Sequence, residues 1–393
     1  AKRFAKLGLY EILSKKQNIT MPWGALTGIR PTKLAYTELQ AGRDYKALFS
    51  DMGVSSANTL LVERILKEQE GVYLRGDNNT DLFLSIPFCP SKCNYCSFIT
   101  ADIRYTKKYL NEYVEKMLFE LENSADLIGN LRSVYIGGGT PLVLDENYLE
   151  RVLDGVAKVR KNGCEYTVEA GRPDVFTPAK LQLLKDYGVT RICVNPQSLS
   201  DATLQRIGRL HTASDVYHAY DLAKNYGFDV NMDLIAGLTG ESYEEFVYSL
   251  KEAIRLQPEN ITVHALSLKS GAKLKEDGAV TDGLVASRMI ATSRELLSGA
   301  GYAPYYLYRQ KYQAGNLENT GWTKPQKACV YNVDIMEETA DNLAVGGNAV
   351  SKKVYTGENR IERYGSPKDF PTYFNKIDEV IAKKRALFLG DKV

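Results

Sequence analysis

Cysteine and histidine are scarce in this sequence, and long apolar runs are missing from it. Its 393 residues include six cysteines and three histidines, too few cysteines for a disulfide scaffold in so long a chain. No run approaches the ~18 apolar residues of a membrane-spanning helix. The net charge of +2 gives no general electrostatic case for binding nucleic acid or a membrane surface. We therefore expect a cytoplasmic protein with no membrane span and no nucleic-acid partner.

Three of the six cysteines lie together, directly after a predicted strand. Residues 82–86 form a short apolar run that predicts a buried strand; Pro87 ends it, and Cys89, Cys93 and Cys96 follow. Thiolates select zinc, copper(I) or iron–sulfur clusters. Structural zinc needs four ligands, usually in two separated pairs, and catalytic zinc usually takes histidine or carboxylate ligands. Neither arrangement matches a three-cysteine loop with no histidine nearby.

The number of thiols favours an iron–sulfur cluster. A four-iron cluster normally takes four thiolates, so three would leave one iron open to an external ligand. Chance clustering of core cysteines is the alternative, and the polar residues of the loop argue against it. The other cysteines, Cys164, Cys193 and Cys329, are predicted to be buried, inert thiols.

The first 80 residues predict a helical lead-in, which we expect to be part of a longer N-terminal region. Apolar residues within 4–12 are spaced for one helical face, and 56–70 is another candidate helix. Between them lies MPWGALTGIRPTKLAY, in which Pro22, Gly24, Gly28 and Pro31 are expected to break any regular element.

From residue 81 to about 300, strand-like runs alternate with amphipathic helices. The predicted strands are 82–86, 133–136, 166–169, 191–194, 229–235 and 261–268. The predicted helices are 105–123, 145–161, 177–187, 201–207, 214–226, 242–256 and 282–297. This alternation implies parallel strands with crossover helices. Six units are two short of a complete eight-fold barrel, so we predict an α/β fold, a partial (β/α)6 barrel open on one side. Its active face should be at the carboxyl ends of the strands.

The alternation of strands and helices stops in residues 301–393. Their pattern predicts a mixed α+β region on the substrate side. Residues 305–308 and 343–345 are candidate strands, and 371–387 is a candidate closing helix.

The cysteine loop reads CPSKCNYC, and Cx3Cx2C with an aromatic residue before the last cysteine resembles the signature of the radical S-adenosylmethionine (SAM) superfamily. The resemblance implies a [4Fe–4S] cluster held by Cys89, Cys93 and Cys96, which would be the metal-binding and catalytic residues. The unique iron would bind SAM, and one-electron reduction would cleave SAM to methionine and a 5′-deoxyadenosyl radical. The superfamily core is a six-fold partial barrel, the same number of units as the periodicity predicts.

Further motifs resemble the oxygen-independent coproporphyrinogen III oxidase branch. They are YIGGGTP after the second strand, IPFC before the cysteines, VEAGRP, VNPQSLSD, GRLH and NMDLIAGL. Taken singly, the glycine run could be a tight turn and Glu169 a helix cap. The lead-in WGALTGIRPTKL resembles the HemZ-type coproporphyrinogen dehydrogenases. The residues that the resemblance implies around SAM are Phe83, Tyr95, Gly138, Gly139, Thr140, Glu169, Gln197, Arg209, Asp233, Ala265 and Val350.

The implied activity is oxidative decarboxylation of two propionates of coproporphyrinogen III to give protoporphyrinogen IX. The implied partners are a tetrapyrrole substrate and a one-electron donor such as flavodoxin or ferredoxin. The propionates need cations, and the candidates are Arg30, Lys33, Arg309 and Lys311.

Three departures from the oxidase pattern leave other activities open. Phe98 stands where that type has a further cysteine, and Phe83 and Ser85 replace its tyrosine and histidine. A heme chaperone is one alternative, although its HNxxYW motif is absent here; a radical SAM enzyme acting on heme is another. His211 could ligate heme iron, but we expect a surface or capping role, and His264 could face the cleft or the core.

Overall fold

The structure is a computed structural model that describes residues 2–18, 20–98, 100–311 and 313–390. The lead-in forms the helices α1 (Lys2–Gln17), α2 (Pro31–Gln40), α3 (Tyr45–Asp51) and α4 (Ser56–Glu68). Trp23, Phe49 and Ile65 are fully buried in a core that these segments share. The lead-in is therefore helical, as predicted, and has a small core that Leu307 of the C-terminal region completes.

Pro31 begins a helix, so the prediction that it breaks regular structure was wrong. It is the first residue of α2. Proline lacks a backbone N–H, and this costs nothing at the first helical position, because the first amides of a helix have no partner within the helix. The fixed φ of proline also suits the first turn. The short helix α3 was not predicted; Asp44 caps it by accepting from the Lys46 amide at 2.8 Å.

A single large sheet organises the rest of the described chain. The strands are β1 (Asn79–Ile86), β2 (Phe88–Cys89), β3 (Ala101–Asp102), β4 (Asn130–Gly138), β5 (Glu165–Gly171), β6 (Arg191–Val194), β7 (Asp229–Ala236), β8 (Asn260–Ala265), β9 (Ala303–Tyr308), β10 (Asn319–Thr323), β11 (Asp341–Val345), β12 (Val350–Tyr355) and β13 (Arg360–Gly365). The large sheet has the order β13-β12-β11-β1-β4-β5-β6-β7-β8-β10-β9, and β2 and β3 pair separately.

The six predicted strands correspond to β1 and β4 to β8, which pair in parallel. Strand β11 extends this core in parallel beside β1, and β10 extends it antiparallel beside β8. In the described chain, β9 and β13 are the free ends of the sheet. The α/β partial barrel is therefore confirmed. Strands of the C-terminal region flank it on both sides, and the division into domains at residue 300 stays a prediction.

Helices connect and cover these strands. They are α5 (Ile103–Thr106), α6 (Leu110–Glu122), α7 (Glu146–Val159), α8 (Pro178–Asp186), α9 (Asp201–Arg206), α10 (Ala213–Asn225), α11 (Tyr243–Leu256), α12 (Lys273–Glu276), α13 (Gly283–Gly299), α14 (Val330–Glu337), α15 (Phe370–Asn375) and α16 (Ile377–Leu389). The predicted helix 105–123 is divided between α5 and α6, and 371–387 between α15 and α16. Of the helices in the described ranges, none combines the length and apolar character needed to cross a bilayer.

The two faces of the sheet differ in polarity, which places the site. Leu82, Leu84 and Ile86 of β1 pack in the apolar core that includes residues of the covering helices. Successive side chains of a strand point to opposite faces, so Asp81 lies on the other side, where its carboxylate accepts from the Ser133 hydroxyl at 2.5 Å. The interior of the partial barrel thus carries polar side chains such as Asp81 beside aromatic rings such as Phe83.

Candidate active site

A cavity of about 340 Å³ opens at the carboxyl ends of the parallel strands. Its lining brings together the three cysteines of the loop and most of the other predicted site residues. These are Cys89, Cys93, Cys96, Tyr95, Gly138, Gly139, Thr140, Glu169, Gln197, Arg209, Asp233 and Ala265. Phe98, which replaces a cysteine of the oxidase type, lies at the edge of the cavity and is 70% exposed.

Phe83 and Val350 lie outside the lining, so the structure does not place these two predicted residues at the site. The Phe83 ring stacks on Tyr331, with a centroid distance of 6.1 Å, inside the barrel. Val350 begins β12, which is two strands beyond β1, and it is 47% exposed. Ser85 is also engaged elsewhere, because its hydroxyl donates to the Gly347 carbonyl at 3.0 Å.

Backbone contacts fix the cysteine loop over the barrel. The amide of Gly139 donates to the Ile86 carbonyl at 2.8 Å, and the amide of Thr140 donates to the Phe88 carbonyl at 2.7 Å. On the other side, the amide of Asn94 donates to the Ile207 carbonyl at 2.9 Å. The loop is therefore held between the glycine turn after β4 and the end of α9.

The three thiols are free and partly buried, which suits metal ligands. Burial raises the pKa of the Cys89 thiol, and burial raises the pKa of Cys96 to about 11. The hydroxyl of Thr140 lies 3.6 Å from Cys89 Sγ and can donate to it. Such thiols ionise readily only beside positive charge, and a bound metal supplies it.

The arrangement of donors fits a cluster better than a single metal ion. Among the described residues, no three histidine, cysteine, aspartate or glutamate side chains are grouped as one metal ion requires. In a four-iron cluster the cysteines bind different irons, so they need only surround the cluster. Three free thiols around one cavity meet that requirement.

Two glycines let the backbone approach the cysteine loop. Gly138 has φ +112°, a conformation that other residues rarely adopt. A Cβ added at Gly139 would lie 2.5 Å from the Phe88 carbonyl oxygen and 3.0 Å from Cys89 Sγ. The glycine run is therefore required by the contact with the loop, and is more than a tight turn.

Gly139→Ala is expected to weaken SAM binding by about tenfold or more, because the added methyl displaces the loop that carries Cys89. Anaerobic calorimetry with SAM on the reconstituted protein measures this. Gly299→Ala is the matched control, since an added Cβ there meets nothing within 4 Å. Equal SAM affinity of the two variants would contradict the prediction.

Two strand-end carboxylates face the cavity in different protonation environments. Glu169 accepts from the Tyr135 hydroxyl at 2.9 Å and from the Gly138 amide at 3.2 Å, and its burial raises its pKa. Burial also acts on Asp233, but the nearby His264 ring and a hydrogen bond from Asn231 outweigh it and hold the pKa of Asp233 below its ordinary value. Asp233 is therefore an ionised acceptor, while Glu169 protonates more easily.

Gln197 and Arg209 are held by the backbone rather than by ion pairs. Gln197 has φ +66°. Its backbone N–H donates to the backbone carbonyl of Asp233 at 2.9 Å. Arg209 Nη1 donates to the carbonyls of Asn195 at 2.6 Å and Pro196 at 3.2 Å. These contacts place both side chains at the rim between β6 and β7.

The lining also includes residues that the motifs did not predict: Arg172, Asn195, Lys269, Tyr308, Gln310 and Asn319. The sequence allowed His264 to face either the cleft or the core. It lines the cavity, and its Nε2 lies 3.7 Å from Asp233 Oδ2. The Tyr308 hydroxyl lies 3.4 Å from His264 Nδ1. Alternation along β9 could have indicated that Tyr306 and Tyr308 share one face.

The cations predicted to bind propionates lie elsewhere, which corrects that prediction. Arg30 and Lys33 both pair with the buried carboxylate of Glu338. Arg309 is buried and donates to the Leu26 carbonyl at 2.6 Å. None of the four predicted cations, Lys311 included, is among the described residues that line the cavity.

The remaining histidine and cysteine predictions had mixed outcomes. His211 is 3% exposed, so the expected surface role was wrong. Burial, followed by nearby Arg209, lowers its pKa to about 3. Cys193 and Cys329 are buried as predicted, whereas Cys164 is only partly buried.

Comparisons with known proteins point to one superfamily. The model of the radical SAM superfamily matches residues 83–253. The oxygen-independent coproporphyrinogen-III oxidase-like protein HemZ of Bacillus subtilis is 34% identical, over 95% of this chain and 78% of that protein. The heme chaperone HemW of the same organism is 33% identical, over 47% of this chain and 49% of its own length.

Among solved structures, the fold is similar to coproporphyrinogen III oxidase (HemN) from Escherichia coli, described as a radical SAM enzyme. The TM-score is 0.63 with 19% identity, and the match covers 79% of this chain and 71% of that chain. This likeness concerns the fold alone.

Proposed function

We propose that this chain, which belongs to the radical SAM superfamily and within it to the oxygen-independent coproporphyrinogen-III oxidase-like proteins, oxidatively decarboxylates two propionates of coproporphyrinogen III to give protoporphyrinogen IX. The observation that carries the proposal is the similarity to HemZ, which extends over 95% of the chain and so includes both the cavity and the lead-in. The proposed electron donor is a flavodoxin or a ferredoxin.

Cys89, Cys93 and Cys96 would hold a [4Fe–4S] cluster, with SAM bound beside it in the same cavity. When bound, these groups supply the hydrogen-atom abstraction that starts the reaction. The glycine turn after β4 would offer its backbone edge to SAM, and ionised Asp233 would accept hydrogen bonds from hydroxyl groups. Gln197 and Arg209, locked by backbone contacts, would form a rigid wall between β6 and β7. The chain's own contribution is thus to orient its ligands and to exclude water.

A heme chaperone is the second candidate, because HemW proteins match between 47% and 74% of the chain. On that alternative the cavity would bind a tetrapyrrole without converting it. The longer match to HemZ favours the enzyme.

Anaerobic reconstitution with iron, sulfide, SAM and a reductant, followed by incubation with coproporphyrinogen III, separates the two candidates. Mass spectrometry of the product should show two successive losses of carbon dioxide. Stoichiometric heme binding with no turnover would contradict the decarboxylase and support the chaperone.

A further inference from the structure

The cations that line the cavity differ in whether they have partners. They are Lys92, Arg172, Arg209 and Lys269, against the carboxylates Glu169 and Asp233. Lys92 donates to the Gly271 carbonyl at 3.0 Å, and Arg172 forms an ion pair with Asp174 at 2.6 Å. Arg209 donates to two backbone carbonyls.

Lys269 is the exception in the described part of the cavity lining, since no hydrogen bond or ion pair involves its ammonium group. It follows β8 and lies on the wall that also carries Tyr308 and Gln310. Burial lowers the pKa of Lys269. An ammonium group partly removed from water without a counter-ion costs free energy, which a bound anion would recover.

Lys269 lies on the β8 side of the cavity, several strands away from the glycine turn after β4. It follows β8 near the antiparallel strands β10 and β9. It is also close to the predicted SAM residue Ala265, which ends β8, and to the cysteine loop, where Lys92 donates to the Gly271 carbonyl.

The carboxylates of the substrate and of SAM are therefore both candidate partners of Lys269. The SAM affinity measured below separates them, because a loss of SAM affinity in Lys269→Met would assign the lysine to SAM. Arg30 and Lys33 of the lead-in are paired with Glu338 and lie outside the cavity lining.

We propose that Lys269 binds a carboxylate of the substrate, with the Tyr308 hydroxyl as a neutral donor on the same wall. Lys269 is thus a positioning residue that anchors one propionate while another faces SAM. The identity of the substrate rests on the proposed function, but the recognition of a carboxylate by Lys269 does not.

The test compares Lys269→Met, Lys269→Arg and the control Lys275→Met in the reconstituted protein. Lys275 is an exposed lysine of the nearby helix α12 and lies outside the cavity lining. The probe is coproporphyrin III, an air-stable tetracarboxylate, and its tetramethyl ester gives the carboxylate-free comparison. Fluorescence quenching measures Kd for both porphyrins, and calorimetry measures Kd for SAM.

Lys269→Met should weaken coproporphyrin binding by about tenfold or more and leave SAM binding unchanged. Lys269→Arg should restore most of the affinity, Lys275→Met should have no effect, and the ester should bind all variants alike. In turnover, Lys269→Met should raise KM more than it lowers kcat.

Equal coproporphyrin affinity of wild type and Lys269→Met, or no binding to wild type, would overturn the subsite. If the carboxylate-dependent binding is present without loss of carbon dioxide, the subsite stands and the decarboxylase proposal fails. If carbon dioxide is released at the same KM by Lys269→Met, the decarboxylase stands and the subsite fails.

Discussion

Cys93→Ala is expected to abolish the iron–sulfur cluster and, with it, all SAM cleavage. The loop offers three thiolates, and a four-iron cluster that has lost one of them would expose a second iron. The remaining cysteines, Cys164, Cys193 and Cys329, do not line the cavity and cannot replace it. Iron content after anaerobic reconstitution should fall from about four per chain to near zero. The charge-transfer absorption and the formation of 5′-deoxyadenosine should disappear with it.

Cys164→Ala is the matched control for this experiment. It removes a partly buried free thiol that lies outside the cavity, so iron content and SAM cleavage should equal those of the wild type. Far-ultraviolet circular dichroism should be the same for both variants, which separates loss of the cluster from loss of the fold. A full four-iron cluster in Cys93→Ala would refute the assignment of the loop.

The central sheet could be predicted because its signal is local. Each of the six runs of apolar and β-branched residues, with a helix after it, is visible in the chain, and parallel strands joined by crossovers follow from that pattern. The flanking strands could not be predicted in the same way. Strand β11 pairs with β1 from the other end of the described chain, and such a pairing depends on contacts that a short window does not contain.

The site could be predicted where its residues stand at strand ends in a fixed order. Glu169 of β5, Gln197 after β6 and Asp233 of β7 belong to consecutive strands and line one cavity. Val350 lies outside the cavity lining, because the order of the strands places it at the side of the sheet. Whether a cation can bind a propionate depends on which carboxylates lie near it in the fold, and the sequence does not show this. Lys33 was a candidate in the sequence, but in the structure it is paired with Glu338.

A buried ion pair lies beside the end of β11. Lys384 of α16 and Glu120 of α6 are both fully buried and pair with each other. Glu120 also accepts from the Tyr373 hydroxyl at 2.5 Å and from the Gly346 amide at 2.8 Å. The turn at Gly346 follows β11, next to the end of β1. The pair therefore ties two covering helices to the strand ends that carry the site.

Lys384→Met is expected to destabilise the protein by about 3–5 kcal/mol, because it leaves the Glu120 carboxylate buried without its counter-ion. Denaturant unfolding followed by circular dichroism measures the change in the free energy of unfolding. The double variant Glu120→Gln/Lys384→Met should recover a large part of the loss. It removes the uncompensated charge, while the carbonyl oxygen of the introduced amide side chain can still accept from Tyr373 and Gly346.

Lys383→Met provides the comparison, because Lys383 is the adjacent lysine and its ion pair with Glu379 is on the surface. Exposed pairs contribute little to stability, so this variant should unfold at the same denaturant concentration as the wild type. If Lys384→Met behaved like Lys383→Met, or if the double variant were less stable than Lys384→Met, the pair would not support the fold in this way.

Because Tyr113 donates to the Ser85 carbonyl at 2.6 Å and accepts from the Gly347 amide at 2.9 Å, loss of the ion pair should also loosen the end of β1. Lys384→Met should therefore bind its cluster less completely than the double variant does.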